Sequence, residues 1–188
     1  MLSLKKRTPE LLTNITVLRA GVAWSTSGGG RKGLLGKVKK FRGTDLDLAC
    51  IALSEGRPVR MAWFDNEDPF EDGSLVTSGD NTSGKGSGDD EMVTAQLDAI
   101  PASVDALVFV VSAYKEGVSF SNVEGITLNL YDDDKKIGAY WPDIDARGNA
   151  CVMARARREG SAWSIEIING LGTARSRDQL LQLARSAV

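Results

Sequence analysis

The stretch Asp80–Glu91 reads Asp-Asn-Thr-Ser-Gly-Lys-Gly-Ser-Gly-Asp-Asp-Glu, which puts four carboxylates, a carboxamide and three glycines within twelve residues. A phosphate-binding loop would need Gly-x4-Gly-Lys-Ser/Thr. Gly79, Gly84 and Lys85 fill its first places, but Gly86 stands where the magnesium-ligating hydroxyl belongs. Asp80, Asp89, Asp90 and Glu91 would also repel a phosphate from any backbone N–H groups presented there. The EF-hand template fails too, because Thr82, Gly84 and Lys85 occupy its third, fifth and sixth places. The ingredients still suit a hard cation. Calcium takes about six to eight oxygen ligands at roughly 2.3–2.6 Å in tolerant geometry, and glycines turn carbonyl oxygens inward without a Cβ penalty. A solvated acidic turn is the alternative on composition alone; the mutual repulsion of four acids favours the cation.

A second acidic pair points the same way. Asp45 and Asp47 stand at i and i+2, so a strand would project both from one face while Leu46 and Leu48 enter a core. Two like charges on one strand face repel unless something positive lies between them. Paired acids also serve glycosidases as general acid and base, but Trp24, Trp63, Trp141 and Trp163 are scattered and mark no sugar cleft. A two-metal hydrolase clamped by Asp45, Asp47, Asp89 and Asp90 is a further reading. It has no histidine and no evident nucleophile to work with.

Composition excludes more. The chain has 188 residues and no histidine, which removes Ser-His-Asp and Cys-His catalysis and histidine zinc sites. Cys50 and Cys151 lie in apolar stretches without CxxC spacing, which reads as buried thiols in a reducing, cytoplasmic setting. The opening MLSLKKRTPE has no apolar leader core, and no apolar run is long enough to span a bilayer. The formal charge of −2 hides a polar distribution: residues 1–42 carry +9 and residues 65–91 carry −8. Each part therefore calls for its own charged partner.

The elements that position these groups are short and alternating. Residues 15–24, 45–53, 58–64, 75–77, 91–97, 106–114, 125–131, 136–141, 151–158 and 162–168 read as strands separated by turn-rich clusters. About ten strands at this spacing predict an all-β, antiparallel β-sandwich forming one domain over 1–188. Val108–Val111 is apolar on both faces, as a central strand would be. The period then changes. Leu180, Leu183, Ala184 and Ala187 follow helical spacing and predict a C-terminal helix capped by Ser176 or Asp178. Residues 25–43, with six glycines and six Lys/Arg, read as a basic Gly-rich loop inserted between two strands. Either it solubilises, or its Leu34, Leu35 and Phe41 touch an anionic surface alongside the charges.

Taken together these motifs resemble the bacterial TerD family of tellurium-resistance and stress-response domains. The resemblance rests on Gly21-x-x-Trp24, Asp45-Leu46-Asp47, Phe64-x-Asn66, Asp72-Gly73-Ser74 and the stretch Gly79–Glu91, continuing through Ile100-Pro101 and Val108–Val111. It implies a calcium-binding β-sandwich, usually with two neighbouring ions, and not an enzyme. Matched position by position, it implies Asp45, Asp47, Asn66, Asp80, Asn81, Gly84, Gly86, Gly88, Asp89, Asp90 and Glu91 as the ligand set, with no catalytic residue. Three features depart from the family pattern: Gly43 and Ser87 stand where an Asp is common, and Asp47-Leu48-Ala49 replaces the usual Asp-Ala-Ser. Each departure removes a possible oxygen or charge, so weaker affinity or one well-filled ion is expected. The implied partners are calcium and other tellurium-resistance or stress-response proteins. Specific nucleic-acid recognition is not expected. Calcium-dependent docking of residues 31–42 to a membrane surface or membrane protein is the second reading.

Overall fold

The computed structural model describes residues 1–26, 45–78, 88–144 and 148–187. Its strands are β1 (Glu10–Leu12), β2 (Val17–Thr26), β3 (Asp47–Ser54), β4 (Arg57–Ala62), β5 (Leu75–Thr77) and β6 (Glu91–Gln96). They continue as β7 (Ala106–Ser112), β8 (Val123–Asp132), β9 (Lys135–Tyr140), β10 (Ala150–Glu159) and β11 (Ala162–Gly172), followed by helix α1 (Arg177–Arg185). All strand pairs within the two sheets are antiparallel. One sheet has six strands in the order β1-β11-β10-β7-β3-β4, and the other has five in the order β5-β6-β2-β8-β9. The predicted sandwich and terminal helix are therefore both present.

Burial follows the strand period. On β7, Leu107, Phe109 and Val111 enter the core between the sheets, while Ala106, Val108 and Val110 pack on the opposite face beneath α1. A strand covered on both faces has no polar side to show, which explains its unbroken apolar run. On β10, a bulge between Val152 and Ala154 resets the alternation, so Met153 and Ala154 both face the inter-sheet core. Between β3 and β4, Glu55 and Gly56 both take positive φ (50° and 70°), as the tight hairpin turn requires. Helix α1 spans nine residues, too short to hold itself in water. Leu180, Ala184 and Ala187 fasten it to the six-stranded sheet, and Ser176 caps its start by accepting the Gln179 N–H. Arg155, paired with Glu166 at 2.7 Å, also donates to the Ala187 carbonyl at 2.7 Å.

The differences from the sequence reading are local. β1 is a three-residue edge strand pairing with β11, too short to show an alternation. β2 runs two residues beyond Trp24, because Ser25 and Thr26 pair with Glu124 and Val123 past a register shift. That takes the first two residues from the expected basic insertion, and its remaining residues through Gly43 lie outside those described. Trp24, Trp63 and Trp163 are buried, whereas Trp141 is 68% exposed. Among the described residues, no helix is long and apolar enough to cross a membrane.

Candidate metal centre

Two backbone hydrogen bonds assemble the acidic rim. The Leu48 N–H of β3 donates to Glu91 Oε2 at the start of β6, so a buried carboxylate joins the two sheets. The Trp24 N–H near the end of β2 donates to Asp90 Oδ2 at 3.0 Å, while the Asp90 N–H donates to the Val22 carbonyl at 2.8 Å. Leu46 and Leu48 are buried in the inter-sheet core, so alternation turns Asp45 and Asp47, both half-buried, to the other side of the strand. The chain thus brings Asp45, Asp47, Asp90 and Glu91 to the same edge of the sandwich.

The three consecutive acids then diverge. Glu91 pairs in register with Val22 and points inward, only 3% exposed. Asp89 lies on the outer face of the five-stranded sheet. Its Oδ1 accepts from Asn129 Nδ2, and its Oδ2 accepts from the Tyr131 hydroxyl at 2.6 Å. Burial, then the hydrogen bond and charge of Asp89, push the Tyr131 phenol up to about 12 against the opposing Arg19 charge, so it stays a donor. Gly21 opens the space for this arrangement. A Cβ there would stand 2.1 Å from Asp89 Oδ2, closer than any real contact. Asn129 is 6% exposed, and its Oδ1 finds no hydrogen-bond donor among the described residues.

Asn66 is an exposed residue in the bend after β4, its backbone exchanging hydrogen bonds with Trp63 at 3.0 and 3.1 Å. Gly88 is exposed with φ at 122°, a conformation glycine tolerates. Asp80, Asn81, Gly84 and Gly86 lie outside the described residues, as do Gly43, Ser87 and the basic residues 31–42. Nearby, hydrogen bonding from Ser74 lowers the exposed Asp72 carboxyl below its usual range, and the Ser74 N–H, donating to Asp72 Oδ1 at 2.8 Å, fixes the Asp72-Gly73-Ser74 bend. Among the described residues, no three His, Cys, Asp or Glu side chains converge to hold an ion by themselves. The donor chemistry of the described residues fits calcium: Asp45, Asp47 and Asp90 are carboxylates, hard oxygen donors, at one rim. Gly21, Asn129 and Tyr131 were not singled out for this site by the sequence reading. Gly21 entered it only through the Gly21-x-x-Trp24 motif, and the β2–β8 register brings the other two to it.

Two packed antiparallel sheets with an acidic, oxygen-rich rim and a helix on the outer face define a β-sandwich domain. The TerD domain profile matches residues 1–185, and the chain belongs to the TerD family of tellurium-resistance and stress-response proteins. It is 30% identical over 179 residues to tellurium resistance protein TerZ of Serratia marcescens, covering 93% of this chain and 90% of that protein. It is 34% identical over 139 residues to tellurium resistance protein TerD of Alcaligenes sp., covering 69% and 72% respectively. In fold it is similar to a homologue of telluride resistance protein TerD from Streptomyces coelicolor, with TM-score 0.69, 19% identity and coverage of 93% of this chain and 98% of that one.

Proposed function

We propose that this chain is a calcium-binding, non-catalytic member of its family, whose ion-ordered rim docks partner proteins of the tellurite or stress response in the cytoplasm. The observation carrying this reading is the pair of bonds from Leu48 to Glu91 and from Trp24 to Asp90. They bring the Asp45/Asp47 strand and the end of the acidic stretch to one edge. Asp45, Asp47 and Asp90 would hold the ion, with oxygens from 79–87 completing its shell. Calcium, when bound, supplies the positive charge that lets these acids stay close together. The protein's own part is to hold the carboxylates in place: Glu91 locks the two sheets, and Asp90 is fixed against β2. A ligand that binds only the folded state raises stability by mass action, so calcium should raise the melting temperature.

The test is calorimetry on chelator-stripped protein, with magnesium as competitor and an Asp89→Ala/Asp90→Ala variant as control. Micromolar binding that is lost in the variant supports the reading. Absence of heat, together with an unchanged melting temperature, defeats it. A stoichiometry of two equally tight ions would remove the expectation of a single well-filled site, which rests on Gly43 and Ser87.

A further inference from the structure

Asp89 stands apart from the other acids of the rim. Strands β6, β2 and β8 run side by side, with Met92 opposite Gly21 and Gly21 opposite Asn129. Because the middle position has no side chain, Asp89 reaches from the β6 side across β2 to the far strand. There both carboxylate oxygens are engaged, one by Asn129 and the other by Tyr131. The two residues face the same way because Leu128 and Leu130 take the core side of β8. The other flank of the acidic stretch is fastened too: the Ser78 N–H donates to the Met92 carbonyl at 2.8 Å, and the Met92 N–H donates to Ser78 Oγ at 3.0 Å.

We propose that Asp89 is a positioning residue, not a calcium ligand: through Gly21, Asn129 and Tyr131 it clamps the end of the acidic stretch across β2 and pre-sets the ligands beside it. The inference rests on the calcium reading above. A ligand set whose flanks are already fixed loses less conformational freedom when the ion arrives, so the clamp acts on affinity without touching the ion. Supporting groups behind metal ligands commonly change affinity by about 10- to 100-fold, which sets the scale. A second consequence follows from geometry: the clamp holds in the absence of calcium, because none of its bonds involves the ion.

A double-mutant cycle separates the two roles. Calcium affinity is measured by calorimetry for wild type, Asp89→Ala, Asn129→Leu/Tyr131→Phe and the triple variant. The melting temperature of each is recorded in chelator. For a clamp, Asp89→Ala weakens calcium about tenfold in the wild-type background and less than about twofold once Asn129 and Tyr131 are gone. Both single-step variants also melt lower in chelator. If Asp89→Ala still costs tenfold or more in the Asn129→Leu/Tyr131→Phe background, Asp89 touches the ion and the proposal falls. If that double variant does not fold, Tyr131→Phe alone serves as the background, since it removes only the bond to Oδ2. Wild type that binds no calcium would defeat the underlying calcium reading. Wild type that binds while Asp89→Ala binds equally well would defeat the clamp alone.

Discussion

Asn149 and Asn129 are both buried, at 1% and 6% exposure, yet the chain uses them differently. Asn149, just before β10, donates through Nδ2 to the carbonyls of Ala113 at 3.1 Å and Ala174 at 2.7 Å, and its Oδ1 accepts the Ala174 N–H at 3.0 Å. Every polar atom of that amide is matched, and it joins the end of β7 to the segment leading into α1. Asn129, in the five-stranded sheet, donates to Asp89, and its Oδ1 is unmatched among the described residues. A saturated buried amide is a finished joint, and no ligand improves it. An amide with acceptor capacity left, beside a carboxylate seated over a glycine, belongs to a part of the molecule built around charge. The contrast separates a structural joint from a charge-bearing one, although both lie toward the same end of the sandwich: Ala150, next to Asn149, and Asp47 both pair with Ser112.

The largest expected effect tests the finished joint. Asn149→Ala removes three hydrogen bonds and leaves the Ala113 and Ala174 carbonyls buried without their partner. The expected loss is about 3 kcal/mol by urea denaturation. It should be the same in calcium and in chelator, because the amide is saturated by Ala113 and Ala174 and offers no spare oxygen to an ion. A loss that calcium repairs would dissolve the distinction between the two amides.

Gly21→Ala comes next and acts in the five-stranded sheet. The new Cβ occupies the place of Asp89 Oδ2, so the carboxylate must leave Asn129 and Tyr131 or β2 must shift. A destabilisation of about 2 kcal/mol is expected from overpacking and the lost bonds. Unlike Asn149→Ala, it should also weaken calcium binding, by about tenfold. Equal calcium affinity in wild type and variant would show that the Asp89 seat and the ion are independent.

These two sites also mark what a reader of the sequence can and cannot see. The sandwich was legible because strand alternation is local: Leu46 and Leu48 against Asp45 and Asp47, or the double-faced run of β7, need no knowledge of partners. The terminal helix showed itself by its change of period. The acidic stretch was legible as a cluster of charge, but its proximity in sequence misled about proximity in space. Asp89 goes to an outer face, Glu91 goes inward between the sheets, and Asp90 binds the backbone of β2. Asn129 and Tyr131 gave no signal, because they are 40 and 42 residues from Asp89 and only the register of β6, β2 and β8 brings them together. Gly21 entered only as part of a motif. Its reason for being glycine is a carboxylate from another strand.

The smallest expected effect concerns the thiols, which report whether the rim moves by itself. Cys50 and Cys151 are both buried on the inner face of the six-stranded sheet, one on each strand flanking β7. Burial pushes both thiols up, Cys151 to about 12 and Cys50 further, with Lys6 only partly offsetting the rise at Cys151. A raised native pKa means the folded state favours the protonated thiol. That contribution is complete below the ordinary thiol value near 9 and is lost as pH climbs from there toward about 12. Between pH 7 and 8.5 the thiols should therefore leave stability unchanged, and a thiol-reactive dye should label native protein at least about 100-fold more slowly than unfolded protein. Calcium stabilises the folded state, so it should slow labelling of both thiols by the same factor. If chelator speeds labelling of Cys151 more than that of Cys50, the ion controls a local opening of the β10 side of the core and not only the global stability of the sandwich.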